Sequence, residues 1–196
     1  MPHRFPKPRT QALVGLGILN RVVWITAILA VFVVGVSPGM GDETDPQLTD
    51  VQQRLATKIA EVRDDFADVQ HLTADEIQSL DASPFLIDVR RESEYAVSRI
   101  PGAYHAADEI QLLALAQRAG DRPIVVYCSL GVRSSIAVRK LQEQGFENAA
   151  NLDGSLFAWA NDGRPLENDD GATDKAHPFN AWWGRYLLKA LHAYEP

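Results

Sequence analysis

With 196 residues and 46% hydrophobic content, the chain has material for one globular domain of ordinary size plus extensions, and too little for two full domains. A net charge of −7 argues against nucleic acid as a partner, because neutralising phosphates needs clustered Lys and Arg. The single cysteine excludes an intramolecular disulfide, and none of the five histidines has metal-ligand spacing, so no metal or nucleotide cofactor is implied.

The leader, residues 1–41, carries four basic residues, Arg4, Lys7, Arg9 and Arg21, and no acid; with a chain total of −7, the remainder carries −11. Residues 22–36 form an uninterrupted apolar or neutral run of 15, and extension through Gly41 reaches 20 without meeting a charge. About 20 residues span a bilayer as a helix, and a shorter run behind a basic segment also fits a secretory signal. The expectation is an uncleaved single-pass membrane anchor, the alternative being export after signal cleavage. Positive charge stays on the cytoplasmic side, so the N-terminus is expected inside and the acidic body in the periplasm or outside the cell.

A polar linker follows, and Leu48, Val51, Leu55, Ile59, Val62, Phe66 and Val69 then recur every three or four residues, one stripe of an amphipathic helix. Packing on the chain's own domain is expected. Pairing of two anchored chains is the alternative, but the heptad spacing is too short to assign an oligomeric state. Residues 69–72 read as a strand, and Thr73 with Glu76 forms a capping box for a helix to about Leu80. The apolar, β-branched stretches 85–89 and 124–127 are strands covered on both faces. Between them come an I-P-G-A turn and a helix over 108–119; further helices are expected over 132–144 and 155–161. The alternation predicts an α/β fold, an open and mostly parallel sheet with helices on both faces.

Ligands of such sheets bind beyond the carboxyl ends of strands. Cys128 stands at one such end, after I-V-V-Y (124–127) and before S-L-G-V-R-S and a helix start. The thiolate is the reactive form of cysteine, and its pKa falls at a helix N-terminus or beside an arginine such as Arg133. A cysteine phosphatase needs C-x5-R, whereas here the sixth residue after Cys128 is Ser134 and the arginine comes one earlier. The loop is one residue short for wrapping a phosphate, and Tyr127 occupies the position where that pattern commonly has histidine.

Four segments, L-I-D-V-R-R-E-S-E-Y (86–95), R-I-P-G-A (99–103), V-Y-C-S-L-G-V-R-S (126–134) and L-D-G-S-L-F-A-W (152–159), stand in the order and spacing of a single-domain rhodanese. Over residues 68–167 the chain resembles this thiosulfate sulfurtransferase family. The resemblance implies a six-residue loop, Cys128 to Arg133, shaped for the terminal sulfur of a persulfide. It makes Cys128 the nucleophile, and the backbone amides of Ser129, Leu130, Gly131, Val132 and Arg133 the cradle of the anionic sulfur, with Arg133 as counter-charge to an anionic donor. Asp88 and Arg90 are expected to buttress the loop together with Glu94, Ser134 to support it, and Trp159 to pack in the core.

Ser98 and Arg99 depart from the family's G-H-I-P-G-A. Ser129 stands where thiosulfate-preferring relatives often carry arginine, and Leu130 and Val132 make the mouth apolar, which points to a persulfide donor or a protein acceptor. The expected function is transfer of sulfane sulfur from thiosulfate or a persulfide to a thiol or cyanide through a Cys128 persulfide. The alternative is a non-catalytic, membrane-tethered binding module.

Residues 168–175 read as an acidic loop. Phe179, Trp182, Trp183, Tyr186, Leu187 and Ala190 then fall on one face of a helix. Docking of that helix on the domain is expected, with a partner or membrane surface as the alternative. The organisation is thus leader and anchor over 1–41, linker and amphipathic helix over 42–67, the rhodanese-like domain over 68–167 and an aromatic extension over 168–196.

Overall fold

The computed structural model describes residues 46–196. The expected anchor or signal segment lies outside the described residues. Among those residues, no helix is long and apolar enough to cross a membrane.

Five parallel strands form the main sheet: β1 (His71–Leu72), β2 (Phe85–Asp88), β3 (Tyr104–His105), β4 (Ile124–Tyr127) and β5 (Ala149–Leu152), in the order β1-β5-β4-β2-β3. The helices are α1 (Pro46–Asp65), α2 (Ala74–Gln78), α3 (Glu92–Val97), α4 (Glu109–Ala119), α5 (Val132–Glu143) and α6 (Ser155–Asn161). Helical crossovers such as α5, which joins the neighbours β4 and β5, return the chain to the same end of the sheet and keep the strands parallel, and the central strand β4 is buried on both faces. Alternate side chains of β4 serve two cores. Val125 and Tyr127 join Leu72, Ile77, Leu152, Leu156 and Phe157 on one side. Ile124 and Val126 join Leu112, Ala116, Val138 and Leu141 on the other.

Local signals fix the ends of the elements. Thr73 Oγ1 accepts from the Glu76 amide while Glu76 caps the Thr73 amide, and Asp108 Oδ1 caps α4 through the Gln111 amide. Helix α1 gives Leu55 and Ile59 to one core and Val62 and Phe66 to the other. From Leu55 onward its apolar stripe is therefore spent within the chain's own body, as expected.

Two expectations fail. The acidic loop contains a hairpin, β6 (Leu166–Asn168) and β7 (Gly171–Thr173), turned by Asp169 and Asp170. Asn168 Oδ1 accepts from the Asp170 amide, and Arg99 pairs with Glu167 through both backbone groups, so polar side chains build a turn where composition suggested irregular chain.

The C-terminal aromatic helix does not form. Only short 3-10 turns occur, at Trp183–Tyr186 and Lys189–Leu191. The segment is tied sideways instead of along a helix axis: Asn161 bonds the Tyr186 carbonyl and the Leu188 amide, and Ala176 pairs with Leu191 and Ala193 through its backbone. Tyr186 and Leu187 are buried in the domain's own core, so the segment docks as expected although its conformation differs.

Candidate active site

Strand β4 delivers Cys128 to the N-terminus of α5, and Gly131 caps that helix with φ of 112°, a left-handed value that favours glycine. This conformation turns the Gly131 amide onto Cys128 Sγ at 3.1 Å. The Ser134 hydroxyl lies 3.5 Å from the same sulfur. From the other side Ser155 Oγ accepts from the Cys128 amide at 3.2 Å, while the Cys128 and Ser129 carbonyls accept from the Leu156 and Phe157 amides. Two helix starts thus clamp one loop.

Cys128 is only 2% exposed, yet it faces a cavity of about 160 Å³ lined also by Ser129, Leu130, Val132, Arg133, Phe179 and Trp183. Burial alone would push the thiol pKa up. The Arg133 charge, the Ser134 hydroxyl and the amides of Ser134 and Gly131 outweigh it and hold the thiol below its ordinary value.

The remaining loop residues divide by role. Glu94, on α3 and buried, accepts both Arg133 Nη atoms at 2.9 Å, the Ser129 hydroxyl at 3.0 Å and the Arg91 amide at 3.2 Å. Burial opposes ionisation of Glu94, but Arg133 keeps its carboxyl below the usual range. The fork of Arg133 is therefore already occupied by a carboxylate, where the sequence reading left it open for an anionic donor. Of the five expected cradle amides, the structure puts that of Gly131 on the sulfur.

Asp88, at the end of β2 beside Tyr127, binds Arg90 Nε at 3.0 Å and Nη2 at 2.7 Å, and both side chains are fully buried. Arg90 Nη2 also donates to the Ser98 carbonyl at 2.5 Å. This places Asp88 and Arg90 beside Tyr127, the residue before Cys128. Trp159 is in the core, with Nε1 on the Pro165 carbonyl.

Sequence reasoning missed a polar chain leading away from the sulfur. Ser134 Oγ is 2.6 Å from Asn151 Oδ1, Asn151 Nδ2 is 3.1 Å from His71 Nδ1, and that nitrogen is 3.3 Å from Asp153 Oδ1, which pairs with Arg63 of α1. Asn151 lies next to the L-D-G segment, and its polarity within an otherwise apolar strand was the available signal. Phe179 and Trp183 were also missed as cavity walls. Phe179 has φ of 66°, a left-handed conformation that costs a non-glycine residue roughly 1–3 kcal/mol.

A reactive-type cysteine at the end of a parallel strand, cupped by a helix N-terminus, defines the class to which this site belongs. The pattern of the rhodanese-like domain family matches residues 70–162. A sulfurtransferase of Allochromatium vinosum is 34% identical over 86 residues, 44% of this chain and 80% of that protein. The thiosulfate sulfurtransferase GlpE of Shewanella oneidensis is 34% identical over 92 residues, 46% of this chain and 91% of that one. Among solved structures, a rhodanese-like domain protein from Staphylococcus aureus is 28% identical, with a TM-score of 0.43 over 51% of this chain and 98% of the other. The chain belongs to the rhodanese-like family.

Proposed function

We propose that the protein is a sulfurtransferase working through a persulfide on Cys128. The thiolate attacks the outer sulfur of thiosulfate or of a persulfide, the donor's S–S bond breaks with its electron pair on sulfite or a thiolate, and Cys128–S–S⁻ forms. A thiol or cyanide acceptor then takes the outer sulfur and restores the thiolate. Gly131 and Ser134 hold the sulfur, Arg133 supplies the favourable charge, and Asp88, Arg90 and Glu94 fix the loop. Ser129, Leu130, Val132 and Arg133 face the incoming donor.

The observation that carries this reading is the Gly131 amide 3.1 Å from a buried sulfur that opens onto a cavity. An inert core cysteine needs neither. The experiment compares sulfur transfer from thiosulfate or a persulfide to cyanide in the wild type and Cys128→Ser; equal rates would end the reading.

The basic leader and the apolar run over 22–36 support a membrane tether with the domain outside the cytoplasm. Carbonate extraction of membranes tests it: an anchored chain stays in the pellet, whereas a chain released without its first 35 to 40 residues would mean signal cleavage. The tether leaves the domain to pass sulfur to an acceptor outside its own chain, which has no second cysteine.

A further inference from the structure

The cavity above Cys128 is walled by two distant parts of the chain. Leu130, Val132 and Arg133 come from the cysteine loop and the start of α5, and Phe179 and Trp183 from the C-terminal segment. Several interactions hold the two aromatic rings in place. The Phe179 amide donates to His177 Nδ1 at 3.0 Å, and the guanidinium carbons of Arg91 and Arg133 stand 5.0 and 5.2 Å from the ring centre. The Asn180 side chain accepts from the Trp182 and Trp183 amides, each at 3.0 Å, and Lys58 of α1 stands over the Trp183 indole. A left-handed phenylalanine persists only when its surroundings over-determine it, and what this turn delivers is an aromatic wall at the reactive sulfur.

Charge at the site points the same way. The Arg133 fork is closed by Glu94 and that of Arg90 by Asp88, so neither is open to a donor's oxyanion, and the exposed Arg91 stands beside Phe179 at the rim. A doubly negative donor entering between Leu130, Val132, Phe179 and Trp183 would lose hydration there without finding either of these two forks open. A persulfide carries at most one charge, and its protonated form R–S–SH, the one a thiolate attacks, carries none. A cavity of about 160 Å³ is also the size that admits a benzene ring.

We propose that Phe179 and Trp183 determine donor specificity, and that the site takes an organic persulfide, as R–S–SH, with an apolar, ring-sized substituent in preference to thiosulfate. This rests on the reading of Cys128 as a sulfur-transfer nucleophile. Cys128–S⁻ attacks the terminal sulfur of R–S–SH; a bond forms between the two sulfurs, the R–S to SH bond breaks, and its electron pair leaves on R–S⁻. The products are Cys128–S–SH and R–S⁻, with one negative charge on each side of the equation and no oxidant or reductant required.

The test measures kcat/KM for benzyl persulfide and for thiosulfate, with cyanide as acceptor, on the full chain and on Phe179→Ala, Phe179→Gly and Trp183→Leu. The rate of Cys128→Ser is subtracted as background. The wild type should prefer benzyl persulfide, and each substitution should lower the ratio of the two kcat/KM values about tenfold. Phe179→Gly suits the left-handed backbone, so its loss of preference would come without a loss of fold, checked by its thermal unfolding midpoint. A wild type that prefers thiosulfate, or a ratio unmoved in folded Phe179→Gly, overturns the proposal while leaving sulfur transfer intact. Absence of any Cys128-dependent transfer from either donor instead overturns the sulfurtransferase reading on which it rests.

Discussion

Replacing Ser134 by alanine removes a single hydroxyl proton that reaches either the Cys128 sulfur or a buried acceptor. The hydroxyl is 3.5 Å from Sγ and 2.6 Å from Asn151 Oδ1. A hydrogen bond to a charged group contributes roughly 1.5–3 kcal/mol, and at this long separation the lower figure applies. Since about 1.4 kcal/mol is a factor of ten, the thiolate fraction at a pH below the thiol's titration should fall about tenfold. The remaining thiolate is more basic and so about threefold more nucleophilic, from a Brønsted slope of ~0.4–0.5.

Alkylation of Cys128 by iodoacetamide across a pH series reads both effects. Ser134→Ala should react about threefold more slowly than wild type at the acid end and about threefold faster on the alkaline plateau, so the two curves cross. Urea denaturation at a pH where the thiol is protonated, and the hydroxyl is free to serve Asn151, should show a loss of about 1–3 kcal/mol from the unpaired Asn151 oxygen. Superimposable alkylation curves together with that stability loss would show that the hydroxyl serves Asn151 alone, and the argument that it favours the thiolate would be refuted.

The ionisation of Cys128 also couples to stability. Despite burial, Arg133, Ser134 and Gly131 hold the folded-state thiol below its ordinary value of 9.0, so the unfolded chain binds the proton more tightly. The stabilisation is complete above pH 9.0 and is lost as the pH falls through the folded-state value. The difference in unfolding free energy between wild type and Cys128→Ser should therefore grow with pH up to that point; a flat difference contradicts the assigned shift. Asp88→Ala leaves the fully buried Arg90 without its carboxylate and should cost about 3–5 kcal/mol in guanidinium denaturation. A loss under about 1 kcal/mol would contradict a buried arginine that depends on this carboxylate. Leu55→Ala should cost about 2–5 kcal/mol because α1 fills the core; a stalk helix would lose no more than about 0.5.

The parts of the fold that were legible are those whose own chemistry dictates them. The run I-V-V-Y is β-branched and apolar throughout, so a strand buried on both faces was its natural reading, and the Thr73 and Asp108 caps announce their helices. Strand β5, Ala149–Leu152, carries no such mark, because two alanines and an asparagine have little preference for a strand. It exists because β4 and β1 flank it, and its alanines are fully buried. In the same way α3 is a six-residue helix whose buried Glu94 gains its meaning only when Arg133, distant in sequence, folds back onto it. Cys128, Gly131 and Arg133 were legible because they lie within six residues along one loop. Asn151, His71, Phe179 and Trp183 were not, since each reaches the site by tertiary packing, and the helical spacing of the C-terminal aromatics pointed to a conformation that cross-chain hydrogen bonds override.

The account stands on Cys128 as a sulfur carrier, and mass spectrometry of the intact protein tests that most directly. After exposure to thiosulfate or benzyl persulfide and removal of excess donor, the wild-type chain should be heavier by one sulfur atom, carried on the Cys128 peptide and released by cyanide. An unchanged mass with both donors would contradict the account, as would added sulfur that survives in Cys128→Ser.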